Sequence, residues 1–155
     1  MHDILLESTI AAAPDKVFRA LTEQQGIEAW WAPRVVAEPK VGSTVEATFH
    51  VGSPQQFVIK MEVSNLEAVR KVEWLPRQGA PEWHGTHITW DLAPVEQGTK
   101  VLFSQCGFAI DSADGNLPGR DGWDFYLSSL KDYLETGKGN PGGLRPRGQS
   151  AATLS

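Results

Sequence analysis

Few residues of this chain have the types and spacing that chemistry requires. His84 and His87 form the pattern His-x-x-His. Residues three apart in a strand point to opposite faces of a sheet, so these two imidazoles would not share a metal ion. A zinc site also needs three or four ligands, and no cluster of Cys or His supplies the others. The sequence therefore predicts neither a metal site nor a cofactor.

Other catalytic patterns are incomplete. The segment from Asp111 to Asn116 has the composition of a calcium loop but lacks its frame and terminal glutamate, so it is interpreted as a turn. Cys106 has no basic neighbour in sequence that would lower the pKa of its thiol. No Gly-x-Ser-x-Gly motif occurs and the glycines are scattered. A hydrolase nucleophile elbow and a phosphate-binding loop are therefore not expected.

Some polar side chains are expected to face the protein interior. Gln105 shares its strand alternation with apolar residues, and so do His84 and Thr86 in the preceding strand. A buried Gln or His needs a hydrogen-bond partner, which is either another protein group or a ligand. The general rarity of unpaired buried groups favours a protein partner. His50 lies on the polar side of its strand and is expected at the surface.

The first elements that would position these groups are a strand and two short helices. Residues 3–11 are partly β-branched and predict a strand. Pro14 fits the first helical position of a helix over residues 13–22. We expect an interruption at Gly26 and a second helix from about residue 27 to 31, ended by Ala32-Pro33.

After these helices, apolar residues recur every two residues, as in strands, and later with the 3.6-residue period of a helix. Alternating runs with Gly and Pro turns between them predict an antiparallel meander. These runs occupy residues 43–51, 56–64, 67–75, 85–92 and 99–106, within a region of six strands that begins at residue 35. From Gly122, the residues Trp123, Leu127, Leu130 and Leu134 follow helical spacing, and Gly137 is placed as a C-terminal cap.

These elements predict an α+β domain. A seven-stranded antiparallel sheet would wrap around the long C-terminal helix, with two short helices after the first strand, because the sheet offers the only large apolar face for that helix. The domain is expected over residues 1–137. Residues 138–155 form a tail rich in Gly, Pro and Arg with too little apolar content for a core of its own.

Composition excludes several classes of function. The chain has 155 residues, which suits one domain. Nineteen acidic and fourteen basic residues give a net charge of −5, so nucleic-acid binding is not expected. No apolar run is long enough for a membrane span and the N-terminus is unlike a signal peptide. The single cysteine, Cys106, fits a reducing compartment, and we expect the cytoplasm.

The sequence resembles a known superfamily in three of its segments. Three segments are similar to those of START-like proteins. They are the opening pattern Ile10-x-Ala12-x-Pro14-x-x-Val17-Phe18 followed by Trp30-Trp31, the hairpin Thr89-Trp90-Asp91-Leu92 with Gly98-Thr99-Lys100-Val101, and the helix from Gly122 to Gly137. These are also called SRPBCC or helix-grip proteins. The closer resemblance is to the branch named after the activator of heat-shock-protein-90 ATPase, over about residues 4–137.

The resemblance implies a cavity between the long helix and the sheet. Its expected lining consists of apolar and aromatic residues together with two polar ones. The candidate residues are Trp31, Phe49, Phe57, Met61, Trp74, His84, Trp90, Phe103, Gln105, Phe108, Trp123, Leu127 and Leu130. The alternative is that these side chains only fill the core. The loop from Asp111 to Asn116, within the irregular segment 108–120, is expected to form a flap at the cavity mouth.

Three functions remain open at this stage. The first is binding of an apolar or aromatic small molecule in the cavity. The second is a cyclase- or hydrolase-type enzyme, which some START-like relatives resemble in fold. That reading is disfavoured because Glu46, Glu62 and Asp91 lie on the outward side of their strands. The third is an interaction module such as a chaperone partner in a stress response. A homodimer is also expected.

Overall fold

A computed structural model describes residues 3–80, 83–108 and 120–142 of the chain. The predicted flap and the tail from residue 143 lie outside these ranges. Within them the chain forms three α-helices and seven strands. They are β1 (Ile4–Ile10), α1 (Pro14–Thr22), α2 (Gln24–Trp30), β2 (Arg34–Val36), β3 (Thr44–Phe49), β4 (Phe57–Glu67), β5 (Lys71–Gln78), β6 (His87–Val95), β7 (Gly98–Cys106) and α3 (Arg120–Thr136).

The strands of the described chain form one antiparallel sheet in the order β1-β7-β6-β5-β4-β3-β2. This confirms the predicted helix-grip arrangement of a seven-stranded sheet with a long C-terminal helix. Alternate residues of each central strand are buried, as the period of two predicted. We call the side of the sheet that carries these buried residues the inner face. The main apolar cluster lies between this face and the three helices.

The boundary between α1 and α2 differs from the prediction. The break occurs at Glu23, which has extended backbone angles of φ −96° and ψ 144°, and α2 begins at Gln24 rather than at residue 27. Gly26 therefore lies inside α2. A Cβ atom at this position would be 2.6 Å from the Ala20 Cα and 2.8 Å from the Arg19 carbonyl oxygen. Gly26 is needed because the two helices approach each other too closely for a side chain.

The β4–β5 hairpin also differs from the prediction, because its turn lies later in the chain. β4 runs on to Glu67, and β5 spans Lys71–Gln78, so it includes Pro76, which lies beyond the predicted run 67–75. Pro76 lies opposite Met61, next to a register shift in β4. Proline is tolerated at such an irregularity, particularly since the pairing of β5 with β6 ends at Trp74. Val69, in the turn of this hairpin, has a positive φ of 56°.

The end of α3 is capped as predicted. Gly137 has a φ of +87°, and its N–H donates to the Tyr133 carbonyl at 2.8 Å. The first residues after the helix then return along the same chain. The Asn140 N–H donates to Ser129 Oγ at 2.7 Å, and the Gly142 N–H donates to the Trp31 carbonyl at 2.8 Å. This part of the tail packs against α2 and α3.

Candidate functional site: an aromatic interior

Four indole rings form a near-parallel series between the sheet and α3. Trp83 contacts Trp123 with ring centroids 5.5 Å apart, Trp123 contacts Trp31 at 5.7 Å, and Trp31 contacts Trp74 at 5.6 Å. The interplanar angles are 22–24°. We call these four residues the indole stack. It crosses the interior from the segment before β6, through α3 and the end of α2, to β5.

Trp90 of β6 meets this stack edge-on. Its ring lies 5.6 Å from that of Trp74 and 5.9 Å from that of Trp123, in T-shaped geometry. On its other sides it contacts Trp30 at 5.5 Å and Phe103 at 4.8 Å, also T-shaped. Edge-to-face contacts of this kind are favourable beyond simple burial because ring quadrupoles attract. All six tryptophans of the chain therefore belong to one connected cluster.

The structure brings eleven of the thirteen predicted lining residues into the buried interior. They are Trp31, Phe49, Met61, Trp74, Trp90, Phe103, Gln105, Phe108, Trp123, Leu127 and Leu130. Phe57 and His84 are exposed instead. The prediction omitted Trp30 and Trp83, which are both buried. Trp83 precedes its strand, where alternation gives no signal, whereas its aromatic size was a signal that could have been used.

The inward placement of His84 was wrong. β6 begins at His87, and His84 lies in the turn before it, so the alternation of the strand does not extend to this residue. Thr86, by contrast, is buried as predicted. Its hydroxyl donates to the Trp83 carbonyl at 2.6 Å, which holds that segment against the cluster.

Gln105 is fully buried, as the alternation predicted, and its polar atoms have protein partners. Its Oε1 accepts from the Trp123 indole N–H at 2.9 Å, and its Nε2 donates to Thr86 Oγ1 at 3.0 Å. Thus the carboxamide joins α3 to the start of β6. A side chain satisfied in this way is a fixed part of the framework and not a free group for a ligand.

Two other buried polar groups have no such partner. The indole nitrogens of Trp74 and Trp90 are buried, and neither has a hydrogen-bond acceptor among the described residues. The contrast with neighbouring indoles is clear, because Trp30 donates to the Ala20 carbonyl at 2.7 Å and Trp123 donates to Gln105. Buried donors are paired in the great majority of cases, so two unpaired ones in one cluster form an exception that needs an explanation.

The cluster reaches the surface at one side. Phe57, at the start of β4, is 41% exposed and stacks on Phe49 with centroids 5.0 Å apart. Phe49 in turn contacts Trp31 at 5.6 Å and Tyr126 of α3 at 6.2 Å. We call Phe49, Phe57 and Tyr126 the aromatic rim. His50, next to it, is half-buried and its ring lies 5.8 Å from that of Phe57.

The described interior is electrically neutral. Its buried polar residues are threonines, Ser129 and Gln105, and no acidic, basic or imidazole side chain of the described ranges is buried. In those ranges no three His, Cys, Asp or Glu side chains lie close enough to hold a metal ion. Burial, with the nearby charge of Asp3, raises the pKa of the Cys106 thiol, so a reactive thiolate is disfavoured at neutral pH.

A separate open groove of about 370 Å³ lies outside this cluster. It is formed by α1, the start of α2 and the end of α3. The residues around it are Lys16, Arg19, Glu23, Gln25, Gly26, Tyr133, Leu134 and Gly137. None of the thirteen predicted residues lines this groove.

None of the three described helices is both long and apolar enough to cross a membrane.

Comparison with known families identifies the chain. Residues 11–135 match the model of a family described as activator of Hsp90 ATPase homolog 1-like protein. The chain belongs to this family. The match confirms the resemblance seen in the sequence. It covers β2 to β7, α1, α2 and all of α3 except Thr136, whereas β1 lies before it. No significant match was found among curated proteins.

Solved structures of similar proteins extend this result. The Aha1 dimer from Colwellia psychrerythraea is 31% identical, with a TM-score of 0.77, and the match covers 90% of this chain and 100% of that one. A protein from Staphylococcus saprophyticus shares the fold at 22% identity, with a TM-score of 0.72 and coverage of 88% and 94%. DynU16, a protein in the dynemicin biosynthetic locus, matches at 19% identity and a TM-score of 0.71, over 90% of this chain and 49% of its own.

Proposed function

We propose that this member of the activator of Hsp90 ATPase homolog 1-like family binds an apolar or aromatic small molecule. The ligand lies against the indole stack, between the inner face of the sheet and α3. The observation that carries the proposal is the continuity of aromatic rings from exposed Phe57 through Phe49 to buried Trp31. Small-molecule sites in proteins are mostly apolar and aromatic, with a few fixed polar groups, and this interior has that character.

The aromatic rim is the proposed way in for the ligand. The side chain of Phe57 is partly exposed to solvent. Rotating it away from Phe49 therefore costs less free energy than moving a fully buried ring. Behind it, Phe49 and Tyr126 belong to β3 and α3, the two elements that the ligand has to pass between. Rings of the stack adjust their packing to admit the ligand, and the ligand then replaces ring–ring contacts with its own.

Binding of the aromatic probe ethylbenzene tests this proposal. We expect a saturable change in tryptophan fluorescence and a rise in melting temperature that grows with probe concentration, since a ligand that binds only the folded state stabilises it. Phe57→Ala should alter probe affinity by several-fold. The matched control is Leu102→Ala, which removes a side chain of similar exposure, 43%, from the outer side of the sheet. Absence of saturation in the native protein would refute the proposal.

Binding is favoured over catalysis by the chemistry of the described interior. General acid–base catalysis requires a titratable group placed at the reacting atoms. The buried polar groups of the described ranges are hydroxyl, carboxamide and indole N–H groups. None of these groups titrates near neutral pH.

We further propose that the chain forms a homodimer in the cytoplasm. The dimeric relative from Colwellia psychrerythraea, matched over its whole length, supports the oligomeric state. The lone Cys106 is compatible with a reducing compartment. Light scattering coupled to size-exclusion chromatography tests the dimer. A mass of twice 17.0 kDa is expected, and a mass of 17.0 kDa at all concentrations would exclude it.

A further inference from the structure

We propose that the ligand of this interior carries a neutral hydrogen-bond acceptor, such as a ketone or ester carbonyl, which is bound by the indole N–H groups of Trp74 and Trp90. The inference rests on the proposed function and narrows its ligand class. Its starting point is that both nitrogens are buried without an acceptor in the described chain. A buried donor without a partner loses its hydration and gains nothing in return.

The two donors are neighbours on the inner face of the sheet. Trp74 pairs with Ile88 across β5 and β6, and Trp90 pairs with Val72, so the two indoles occupy diagonal positions of the same ladder. Their ring centroids are 5.6 Å apart. Residues related in this way are within reach of one another's long side chains, and one bound molecule can contact both.

The other indoles show that this fold can pair its buried donors when no ligand is needed. Trp30 donates to the Ala20 carbonyl, and Trp123 donates to Gln105, whose orientation is fixed in turn by Thr86. Trp74 and Trp90 meet edge to face, with ring centroids 5.6 Å apart. Even a direct N–H···π contact is weaker than a hydrogen bond to oxygen, so ring packing of this kind does not satisfy either donor.

The charge of the acceptor follows from the surroundings. No basic side chain is buried in the described interior, so a carboxylate or phosphate placed there would lack a compensating charge. A carbonyl or ether oxygen accepts hydrogen bonds without that cost. The ligand class is therefore a largely apolar or aromatic molecule with a neutral oxygen acceptor.

The test compares acetophenone with ethylbenzene, which have nearly the same shape but differ in the carbonyl oxygen. Affinities are measured by titration of the full-length protein, with the indole N–H signals in ¹H–¹⁵N spectra as readout. The two probes differ in hydration, so the informative quantity is their affinity ratio within each variant. Trp74→Phe and Trp90→Phe remove the donor and keep an aromatic ring. Each should lower the ratio of ketone to hydrocarbon affinity about five- to tenfold.

Trp30→Phe is the matched control, because it removes an indole N–H that already has an acceptor. Its affinity ratio should stay within about twofold of that of the native protein. An unchanged ratio in Trp74→Phe and Trp90→Phe, with ethylbenzene still bound, would overturn the inference and leave the proposed function standing. Failure of both probes to bind the native protein would overturn the proposed function and this inference with it.

The carbonyl stretch of bound acetophenone gives a second readout that needs no variant. In the native protein it should appear at lower frequency than in an alkane solvent, as expected for a hydrogen-bonded carbonyl. A frequency equal to that in alkane would overturn the inference even where the two variants fail to fold.

Discussion

Gln105 of β7 and Trp123 of α3 are joined by a hydrogen bond of 2.9 Å inside an otherwise apolar interior. The same carboxamide donates to Thr86, so one side chain connects the helix, the last strand and the segment before β6. This contact fixes the orientation of Trp123, which stands in the middle of the indole stack. The polar framework therefore determines how the aromatic surface is presented.

Replacing Gln105 by Leu should be strongly destabilising. The change leaves the Trp123 N–H buried without an acceptor, and we expect a loss of about 1–3 kcal/mol in the free energy of unfolding. Urea denaturation measures it. The double variant with Trp123→Phe removes both partners, so its loss should be smaller than the sum of the two single losses. Additive losses would show that the bond contributes nothing.

Gly26→Ala should destabilise the fold although alanine favours helices. The new methyl group would lie 2.6 Å from the Ala20 Cα, and backbone atoms have little freedom to move aside. Overpacking of this kind costs about 1–3 kcal/mol, more than the ~1 kcal/mol gained in helix propensity. Gln25→Ala, at an exposed position of the same helix, should be nearly neutral. Equal melting temperatures for the two variants would contradict the close helix approach.

Val69→Asn should increase stability. Val69 is β-branched and has a φ of 56°, a left-handed conformation that costs such residues about 1–2 kcal/mol. Asparagine tolerates it better, so we expect a gain of about 1 kcal/mol. Val41→Asn serves as control, since Val41 is also exposed but lacks a positive φ. A gain at Val41 as large as that at Val69 would refute the backbone explanation.

Glu135 should make stability depend on pH in the acid range. A hydrogen bond from Lys131, followed by one from the Ala11 N–H, holds the pKa of this carboxyl below its ordinary value. A lowered pKa in the folded state stabilises it above the ordinary glutamate pKa of about 4.3, and this contribution disappears as the pH falls through the folded-state value.

Glu135→Gln is therefore expected to melt at a lower temperature than the native protein at pH 7, with the difference vanishing in acid. Glu96→Gln, in the exposed β6–β7 turn, is the control and should leave the pH profile unchanged. Melting curves recorded from pH 7 to pH 3 follow both variants. A Glu135→Gln deficit that stays constant over this range would contradict the assignment.

The sequence predicted the sheet well because alternation is a local signal. Phe103 and Gln105 were placed among the lining residues of the interior, and both are buried on the inner face. The same alternation gave a wrong prediction for His84, which was expected to face the interior but lies before its strand begins. Gly26 was interpreted as a helix break, since only the packed structure reveals that α1 leaves no room for a side chain there.

The candidate site was predictable in composition but not in its contacts. Aromatic residues on apolar faces indicated a Trp-rich interior. Which indole finds an acceptor depends on how separate elements pack against each other, as in the contact of Trp30 in α2 with the Ala20 carbonyl in α1. The unpaired donors of Trp74 and Trp90 became visible only once those distances were known.

The measurement that tests ligand binding in the aromatic interior most directly is a titration of the ¹⁵N-labelled chain with acetophenone. The six tryptophans give six indole N–H signals, and each belongs to the cluster. Binding in the interior predicts that the signals of Trp31, Trp74 and Trp90 shift with a common saturating midpoint, while the backbone amide of Leu102 on the outer side of the sheet stays in place. Indole signals that do not move, or that change linearly without saturation, would contradict binding at this site.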